Sequence, residues 1–310
     1  MVCLRYPESW STTMTAWIKM MRAERLAPRT ISFYKETITA VAHILAAHNR
    51  PVLPRRIKTD DVEFLLDYFA QNDYAVQTRK GYIQALKKWC SSFDSPVIRD
   101  WPTIRYPIDK RPNVDWLSPD QVRRLLQHPM STVQSTVIHC ELNLGMRHVE
   151  VIRLKISDID WENECLRVLG KGPEGGSPRL IPFAANTRCI LESMIRYRSQ
   201  LVDRMRARYP VTGVEPPNLM IWERGCKLHE YSEEGYGLDK VVCLPLTKEL
   251  GFHFSNHTLR RTFGRSLFRA GVPVPTIARI LGHESTDITL RYIGVDLDDM
   301  RAAMRRLSYD

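Results

Sequence analysis

Apolar residues recur at helical spacing through the first 95 residues of the chain. In TISFYKETITAVAHILAAH, one side of the helix carries Ile31, Tyr34, Ile38, Val41 and Leu45. TMTAWIKMMRAERL, KTDDVEFLLDYFA and QTRKGYIQALKKWCSSF repeat this spacing, and the second of these segments opens with Thr59 as a helix N-cap. The pattern predicts a bundle of four short helices over residues 1–95, with basic residues on its outer faces.

A proline-rich stretch separates this bundle from the rest of the chain. FDSPVIRDWPTIRYPIDKRPNVDWLSPD contains five prolines, whose fixed φ and missing N–H oppose regular structure. We therefore expect an interdomain linker over residues 96–114. The next helix is predicted to begin with Ser118 as its N-cap and Pro119 in its first turn.

The part of the chain after the linker has mixed periodicity. DIDWENECLRVLGKGPEGGSPRLIPF alternates as strands around a turn rich in glycine and proline, which predicts a small antiparallel sheet. From NTRCILESMIRYRSQL onward the period is mostly helical, apart from an irregular stretch near residues 209–240. The expected fold class is mostly α with a small antiparallel β-sheet, in a helical domain followed by an α+β domain over residues 115–310.

A last amphipathic segment, DLDDMRAAMRRL, predicts a tail helix over residues 296–307 with Asp296 as its cap. Its apolar stripe consists of Leu297, Met300, Met304 and Leu307. Such a short helix needs a surface to cover, which its own domain or a neighbouring protomer could supply.

Composition narrows the classes of partner. The 310 residues carry a formal net charge of +10, which favours nucleic acid as a partner, although an anionic membrane would also fit. The chain shows no apolar run near the roughly 20 residues that span a bilayer, and no apolar signal-peptide core, so we expect a cytoplasmic protein. The seven cysteines form no CxxC pair, so neither disulfides nor a metal site is expected.

Two motifs in the mixed part place charges at defined spacing. In ELNLGMRHVE, Gly145 marks a break, and Arg147 and Glu150 follow at i, i+3 on one helical face. Taken alone, this pair is an ordinary helical salt bridge. In LGKG, Lys171 stands between two glycines at the tip of the predicted hairpin. It could be an exposed turn lysine, or it could reach into the minor groove of DNA.

A third motif, HTLRRTFGRSLFR, places His257 and Arg260 at i, i+3 on one helix. Arg261 also lies within one turn of His257, so helical geometry leaves open which arginine is its neighbour. The buried stripe of this helix is expected to contain Leu259, Phe263 and Leu267. A second stripe, facing solvent or phosphate, is expected to contain Arg261, Arg265 and Arg269.

Beyond this helix, His283 follows Gly282, and Tyr292 lies nine residues further on. A single histidine or tyrosine is most often a hydrogen-bonded core residue, but the combined set is less ordinary. The two arginines could hold the non-bridging oxygens of a phosphate, and a histidine could take the tyrosine proton. A lysine could protonate a leaving 5′ oxygen. Tyrosine, with a pKa of about 10 when free, becomes a competent nucleophile beside such cations.

These motifs resemble those of the tyrosine recombinase (phage integrase) family. The resemblance rests on GMRHVE, the lysine of LGKG, HTLRRT, LGH and the tyrosine nine residues beyond it, in the family's order. It extends over about residues 10–305 and is strongest in the second domain. It implies an N-terminal core-binding domain over residues 1–95 and a C-terminal catalytic domain, which together clamp double-stranded DNA.

The resemblance also implies roles for individual residues. Tyr292 would attack a DNA phosphate and form a 3′-phosphotyrosine, without metal, ATP or other cofactor. Arg147 and Arg260 would clamp that phosphate, and Glu150 would orient its neighbours. His257 would be the general base, His283 would hydrogen-bond the phosphate, and Lys171 would be the general acid.

Further expectations concern DNA contacts and assembly. DNA-binding residues are expected to be Arg79, Lys80, Lys87, Lys88, Arg261 and Arg265. Two features depart from the family pattern: the turn after Lys171 is long and glycine-rich, and Arg261 stands where many members have histidine. The implied assembly is a homo-tetramer on two recombination sites, with the tail helix inserted into a neighbour, and the protein would be nucleoid-associated when bound to DNA.

Three alternatives stay open at this point. A type IB topoisomerase would use the same chemistry but reseal the same strand, and a sequence-specific regulator would bind DNA without cleaving it. Tyr309 is a rival nucleophile in principle, but it lacks the spacing of Tyr292 from the LGH motif.

Overall fold

A computed structural model describes residues 9–106, 115–170, 178–209, 215–232, 237–294 and 297–305. The chain forms two compact units, over residues 1–111 and 112–310. Among the helices of these described ranges, none is long and apolar enough to cross a membrane.

The first unit contains the four predicted helices. They are α1 (Trp10–Ala23), α2 (Pro28–Ala47), α3 (Thr59–Gln71) and α4 (Val76–Ser92), with single 3₁₀ turns at Pro54–Arg56 and Pro96–Ile98. Ser9 is the N-cap of α1, where its hydroxyl accepts from the Thr12 N–H, and Pro28 occupies the first turn of α2.

One predicted cap is wrong. Thr59 is the first helical residue of α3, not its N-cap. The N-cap position belongs to Lys58, whose backbone N–H donates to Asp61 Oδ2 at 2.9 Å. Because Asp61 supplies this interaction from inside the first turn, the helix begins one residue earlier than a threonine cap would allow.

Aromatic side chains form the centre of the first unit. Trp17 and Trp89 meet edge to face with ring centroids 4.8 Å apart, and Trp17 Nε1 donates to Ser92 Oγ at 2.9 Å. Val97 is buried in the same core, and Trp101 is partly buried against it. The first residues of the predicted linker therefore pack on the helical unit, while the assignment of the two units to DNA binding and catalysis stays a prediction.

The second unit contains ten helices and two small sheets in its described part. The elements before the longest helix are α5 (Pro119–Gln127), α6 (Thr132–Leu142), α7 (His148–Arg153), β1 (Ile159–Asp160), β2 (Cys165–Leu169) and β3 (Pro178–Pro182). There follow α8 (Ala185–Arg208), β4 (Ile221–Arg224), β5 (Lys227–Glu230), α9 (Leu238–Val241) and α10 (Cys243–Leu250). The last are α11 (Asn256–Arg269), α12 (Val274–Leu281), α13 (Thr286–Ile293) and α14 (Leu297–Arg305).

Local signals set the ends of several of these helices. Ser118 caps α5 by accepting from the Gln121 N–H, with Pro119 in the first turn, as predicted. Ser255 caps α11 in the same way through Thr258. Gly282 ends α12 in the left-handed conformation, with φ +62°.

The three-stranded sheet is antiparallel in the order β1–β2–β3, with Leu166 opposite Ile159 and Ile181. The mostly helical fold with a small antiparallel sheet is therefore confirmed. The stretch near 209–240 was expected to be irregular, but it contains the β4–β5 hairpin, in which Trp222 Nε1 donates to Glu230 O at 3.1 Å. Its short strands were missed because each has only four residues.

Helix α6 runs through the core of the second unit. Its side chains Val137 and Cys140 are fully buried, together with Leu259 of α11 and Leu191 and Met194 of α8. This packing fixes the C-terminal end of α6 beside α11, and the candidate site lies where these two helices meet the turns after α6 and α12.

Candidate active site

The turn between α6 and α7 is shaped by Gly145. Its φ is +61°, and a Cβ at this position would overlap the ring of Phe263. The close approach allows the Gly145 carbonyl to accept a hydrogen bond from Arg260 Nη1. Gly145 thus joins the first motif to the third through its backbone.

Arg147 occupies the N-cap position of α7. Its Nη2 donates to the carbonyl of Gly282 at 2.9 Å, and its Nη1 donates to Glu150 Oε1 at 2.9 Å. The backbone N–H of Arg147 donates to the other carboxylate oxygen at 2.7 Å. Both terminal nitrogens of the guanidinium are therefore held, while about a quarter of the side-chain surface (24%) stays exposed.

Glu150 is fully buried and is the common acceptor of two arginines. Besides Arg147, it accepts from Arg179 Nη1 at 2.8 Å and Arg179 Nη2 at 2.7 Å. Burial alone would raise the pKa of Glu150. The hydrogen bonds and charge of Arg179, with the Arg147 N–H and the Arg260 charge, outweigh burial and leave the pKa below its ordinary value. The carboxylate therefore stays ionised and orients the arginines.

Arg179 is a site residue that the sequence analysis missed. It lies on β3, and its Nε donates to the Ile280 carbonyl at 2.9 Å, so that it ties the strand to the end of α12. A signal was present: strand alternation places Arg179 on the same face as the buried Ile181. A charged residue on the inward face of a strand needs a buried partner, which here is Glu150.

Arg260 lies at the centre of the site and is almost fully buried, with 2% of its surface exposed. Its guanidinium donates to the carbonyls of Gly145 and Leu281, and its Nη2 lies 3.3 Å from His283 Nε2. Burial, followed by the charge of Arg147, lowers its pKa to about 10. Arg260 therefore keeps its positive charge at neutral pH.

The tautomer of His283 follows from its two neighbours. Arginine can only donate, so Nε2 must accept from Arg260, and the ring proton is assigned to Nδ1, 2.8 Å from Thr289 Oγ1. Burial, followed by the charges of Arg260 and Arg147, lowers the pKa of His283 to about 4. The ring is therefore neutral at neutral pH.

Tyr292 lies on α13 beside these cations. Its ring meets that of His283 edge to face at 5.1 Å, and the guanidinium carbons of Arg260 and Arg261 lie 5.9 and 5.4 Å from its centroid. The hydroxyl is buried, and no described residue forms a hydrogen bond of ordinary geometry with it. Burial raises its pKa, although both arginines act in the opposite direction.

The structure thus brings together Arg147, Glu150, Arg260, His283 and Tyr292. His257 lies one turn before Arg260, in the first turn of α11, with its side chain exposed. Lys171 lies outside the described residues. Within the described ranges, no group of histidine, cysteine or acidic residues is arranged to hold a metal ion.

The arginine stripe predicted to face solvent or phosphate is partly wrong. Arg265 is only 3% exposed. It donates to the carbonyls of Ile293 and Gly294, pairs with Asp299 of α14 at 2.8 Å, and lies 4.1 Å from the centre of the Trp116 ring. The residues that bury it lie far away in the sequence, so helix periodicity could not reveal them. Arg265 joins the tail helix to α11, and its buried guanidinium does not present the surface that the predicted DNA contact requires.

Four of the five remaining predicted DNA contacts lie on α4 of the first unit, and the fifth, Arg261, lies on α11. Arg79 Nε donates to the Tyr74 carbonyl at 2.6 Å, and Lys88 pairs with Glu24. The ammonium groups of Lys80 and Lys87 lie over the rings of Tyr106 and Trp101, at 5.3 and 5.6 Å from their centres. Their contact with DNA stays a prediction.

Comparison with known proteins decides the family. Residues 115–211 and 238–298, just over half of the chain, match the model of the phage integrase family. The chain belongs to this family. The match contains Arg147, Glu150, Arg260, His283 and Tyr292, and it confirms both the resemblance seen in the motifs and the prediction of a tyrosine site-specific recombinase.

Individual relatives agree with this assignment. The chain is 27% identical to the tyrosine recombinase XerC of Roseiflexus sp. (strain RS-1) over 296 residues, which is 91% of this chain and 88% of the relative. Two solved structures share the fold. The Tn1549 transposon integrase in complex with circular intermediate DNA has a TM-score of 0.63 at 18% identity, with 94% of this chain and 98% of that chain covered. The XerH site-specific recombinase bound to its difH substrate has a TM-score of 0.62 at 20% identity, with 96% and 83% covered.

Proposed function

We propose that this phage integrase family member cleaves and rejoins DNA strands at specific sites through a 3′-phosphotyrosine at Tyr292, without metal or ATP. The observation that supports it most directly is the setting of Tyr292, whose ring is surrounded by Arg260, Arg261 and His283 and whose hydroxyl is buried among them. Solved structures of this fold are complexes with DNA, which supports double-stranded DNA as the partner.

The two arginines of the motifs would hold the scissile phosphate. Arg147 and Arg260 are fixed by backbone carbonyls and by the buried Glu150, so their positive charges are in place before DNA binds. Preorganised donors of this kind stabilise the negative charge that grows on a pentacoordinate phosphorus. Arg261, which lies over the tyrosine ring, adds a third positive charge on the same side of the site.

Burial makes Tyr292 a weak nucleophile in the free protein, because it raises the pKa of the hydroxyl. A base must therefore take the proton as the tyrosine oxygen attacks phosphorus, and we assign this role to His257, whose exposed ring remains accessible to DNA. Lys171 would donate a proton to the 5′ oxygen as its bond to phosphorus breaks. Attack by the 5′ hydroxyl of a partner strand on the phosphotyrosine reverses these steps, so the bond energy is conserved.

His283 would hydrogen-bond the phosphate only after a change of tautomer. In the free protein its Nε2 accepts from Arg260 and has no proton to donate. The Thr289 hydroxyl can either accept from or donate to Nδ1, so it is compatible with both tautomers. A phosphate that accepts from Arg260 Nη2 in place of His283 would release Nε2 to carry the proton.

The assembly and location follow from this activity. Strand exchange between two duplex sites favours a homo-tetramer on DNA, in which the exposed Met300 and Met304 of α14 could be covered by a neighbouring protomer. Such an enzyme would work in the cytoplasm, associated with the nucleoid when bound to DNA. A type IB topoisomerase would use the same site without needing two duplexes.

Covalent trapping tests the proposal. The protein is incubated in EDTA with DNA that carries its recombination site and a nick that lets the 5′ product diffuse away, and the products are resolved on a denaturing gel. We expect an adduct from the wild-type protein and from Tyr309→Phe, and none from Tyr292→Phe. Binding of that DNA without any adduct would favour a non-cleaving regulator. Relaxation of supercoils without exchange between two sites would favour the topoisomerase.

A further inference from the structure

Glu141 and His148 form a pair of titratable side chains close to Arg147 and Arg260. Glu141 is in the last turn of α6, and its side chain is fully buried. Its Oε1 lies 3.0 Å from Nδ1 of His148, the residue that directly follows Arg147. His148 is mostly buried and belongs to the first turn of α7. The pair therefore connects the core helix α6 to the turn that carries Arg147.

Packing alone does not explain a carboxylate at this position. The second oxygen of Glu141, Oε2, is buried, and the described residues offer it no hydrogen bond. Burying a charged or polar oxygen without a partner is costly, and an apolar side chain would fill the core at lower free energy. The contact between Glu141 Oε1 and His148 Nδ1 offsets part of this cost.

The other nitrogen of His148 lies near Asp239, an acidic residue that contacts the beginning of α11. His148 Nε2 lies 3.9 Å from Asp239 Oδ1 of α9, and Asp239 accepts a hydrogen bond from Asn256 Nδ2. Asn256 is the first residue of α11 and directly precedes His257. The side-chain oxygen of Asn256, Oδ1, accepts from the Cys243 thiol at 2.9 Å. Polar contacts thus run from the residue beside Arg147 to the residue beside His257.

We propose that Glu141 and His148 are positioning residues for DNA cleavage. The pair would hold the first turn of α7, with Arg147, and through Asp239 and Asn256 would hold the first turn of α11, with His257. This inference rests on the proposed function, since it assigns the pair to the same reaction. It gives His148 a role that does not require contact with DNA.

The charges around the pair make its effect dependent on pH. Burial raises the pKa of Glu141 to about 7, against the hydrogen bond and charge of His148 and the charge of Arg260, while Asp239 raises it further. Burial raises the pKa values of the Cys140 and Cys243 thiols, and the charge of Glu141 raises them further. Near neutral pH the pair therefore gains or loses a proton, which changes the strength of its hydrogen bond.

The test compares single-turnover cleavage by the full-length protein at saturating protein concentration, on the nicked DNA described above, from pH 5.5 to 9. The variants are Glu141→Gln, which keeps an acceptor oxygen but cannot titrate, and His148→Gln. The matched control is His139→Gln, on the same helix α6, where the native ring bonds to Thr187 Oγ1 at 2.8 Å. DNA affinity and the thermal unfolding midpoint are measured for each protein.

We expect His148→Gln to reduce the cleavage rate by about 10- to 100-fold, because small displacements of catalytic groups have effects of this size. DNA affinity should change by less than about threefold, because neither residue contacts DNA in this proposal. Glu141→Gln should keep a rate close to wild type at its optimum but lose the component of the pH profile near 7. His139→Gln should keep both the wild-type rate and the wild-type profile.

Wild-type rates and pH profiles in both Glu141→Gln and His148→Gln would overturn this inference alone. A rate loss that only follows lost DNA affinity or lost folded protein would overturn it as well, because it would show a structural role. Absence of an adduct with the wild-type protein would overturn the proposed function and this inference together.

Discussion

Arg179 and Glu150 form a two-armed ion pair inside the second unit, with nitrogen–oxygen distances of 2.8 and 2.7 Å, although 29 residues separate them in the sequence. The same arginine donates through Nε to the carbonyl of Ile280, next to the Leu281 carbonyl that accepts from Arg260. Strand β3, helix α7 and the end of α12 are therefore joined at one guanidinium. This pair determines where Glu150 points and so where Arg147 is held.

Replacing Arg179 should affect both stability and cleavage. In Arg179→Met, the buried Glu150 keeps Arg147 but loses its closest charged partner, so we expect the free energy of unfolding to fall by about 3 kcal/mol. Arg179→Lys should recover little of this lost free energy of unfolding, because lysine cannot reproduce the bidentate contact with Glu150. Urea denaturation and the adduct assay measure the two effects.

The exposed Arg167, on the neighbouring strand β2, is the control for this substitution. Arg167→Met should leave both the stability and the cleavage rate near wild type. Equal losses in Arg167→Met and Arg179→Met would show that the ion pair has no special part in the site.

Gly145→Ala should be among the most damaging small substitutions in this unit. The positive φ disfavours any side chain by about 1–2 kcal/mol, and the overlap with Phe263 adds a packing cost of about 1–3 kcal/mol. Displacing this turn also moves the carbonyl that accepts from Arg260, so cleavage should fall along with stability. Urea denaturation measures the stability change.

Gly225→Ala separates the two causes. Gly225 has nearly the same φ, +59°, but no atom lies within 4 Å of the position a Cβ would take. In Gly225→Ala the free energy of unfolding should therefore fall only by the conformational cost of the positive φ, about 1–2 kcal/mol. This variant should cleave DNA at the wild-type rate. A loss at Gly145 no larger than that at Gly225 would show that the Phe263 contact yields easily.

His283 should be neutral across the physiological range. Its pKa is lowered from 6.5 to about 4, so the folded state favours the neutral ring. The contribution of this shift to the free energy of unfolding is fully present above pH 6.5 and is lost as the pH falls toward 4. Nitrogen-15 chemical shifts of the imidazole should show a neutral ring with its single proton on Nδ1 between pH 5.5 and 8.

Thr289→Val tests the source of this tautomer. Valine keeps the shape of the side chain but removes the hydroxyl that lies 2.8 Å from Nδ1. Because that hydroxyl fits either tautomer, whereas Arg260 requires Nε2 to accept, the Nδ1–H form should persist. A His283 pKa above 6 in the wild-type protein would contradict the burial that the structure shows.

Glu141 should affect stability with the opposite dependence on pH. Its pKa is raised from 4.5 to about 7 by burial, so the folded state binds the proton more tightly than the unfolded chain does. The free energy of unfolding should therefore decrease as the pH rises from 4.5 to 7 and level off above that. Glu141→Gln should lack this decrease and should gain stability over wild type across the same window. Parallel pH–stability curves for the wild-type protein and Glu141→Gln would contradict the raised pKa of Glu141.

Much of the fold and the chemistry was predictable from local patterns. Helical spacing, the Ser118 cap and the break at Gly145 depend on interactions within one or two turns, which the sequence shows directly. The motifs containing Arg147, Arg260, His283 and Tyr292 occur in the order of the phage integrase family, so the family could be predicted before the fold was known.

Tertiary structure alone decided which charged side chains are buried and what they pair with. Arg261 and Arg265 look alike on a helical wheel, yet Arg261 lies over the Tyr292 ring and Arg265 is buried against Trp116 and Asp299. Neither Arg179 nor Glu141 was predicted as a site residue. Local periodicity identifies the face on which a residue lies, whereas burying a charge depends on a partner that folding brings from far along the chain.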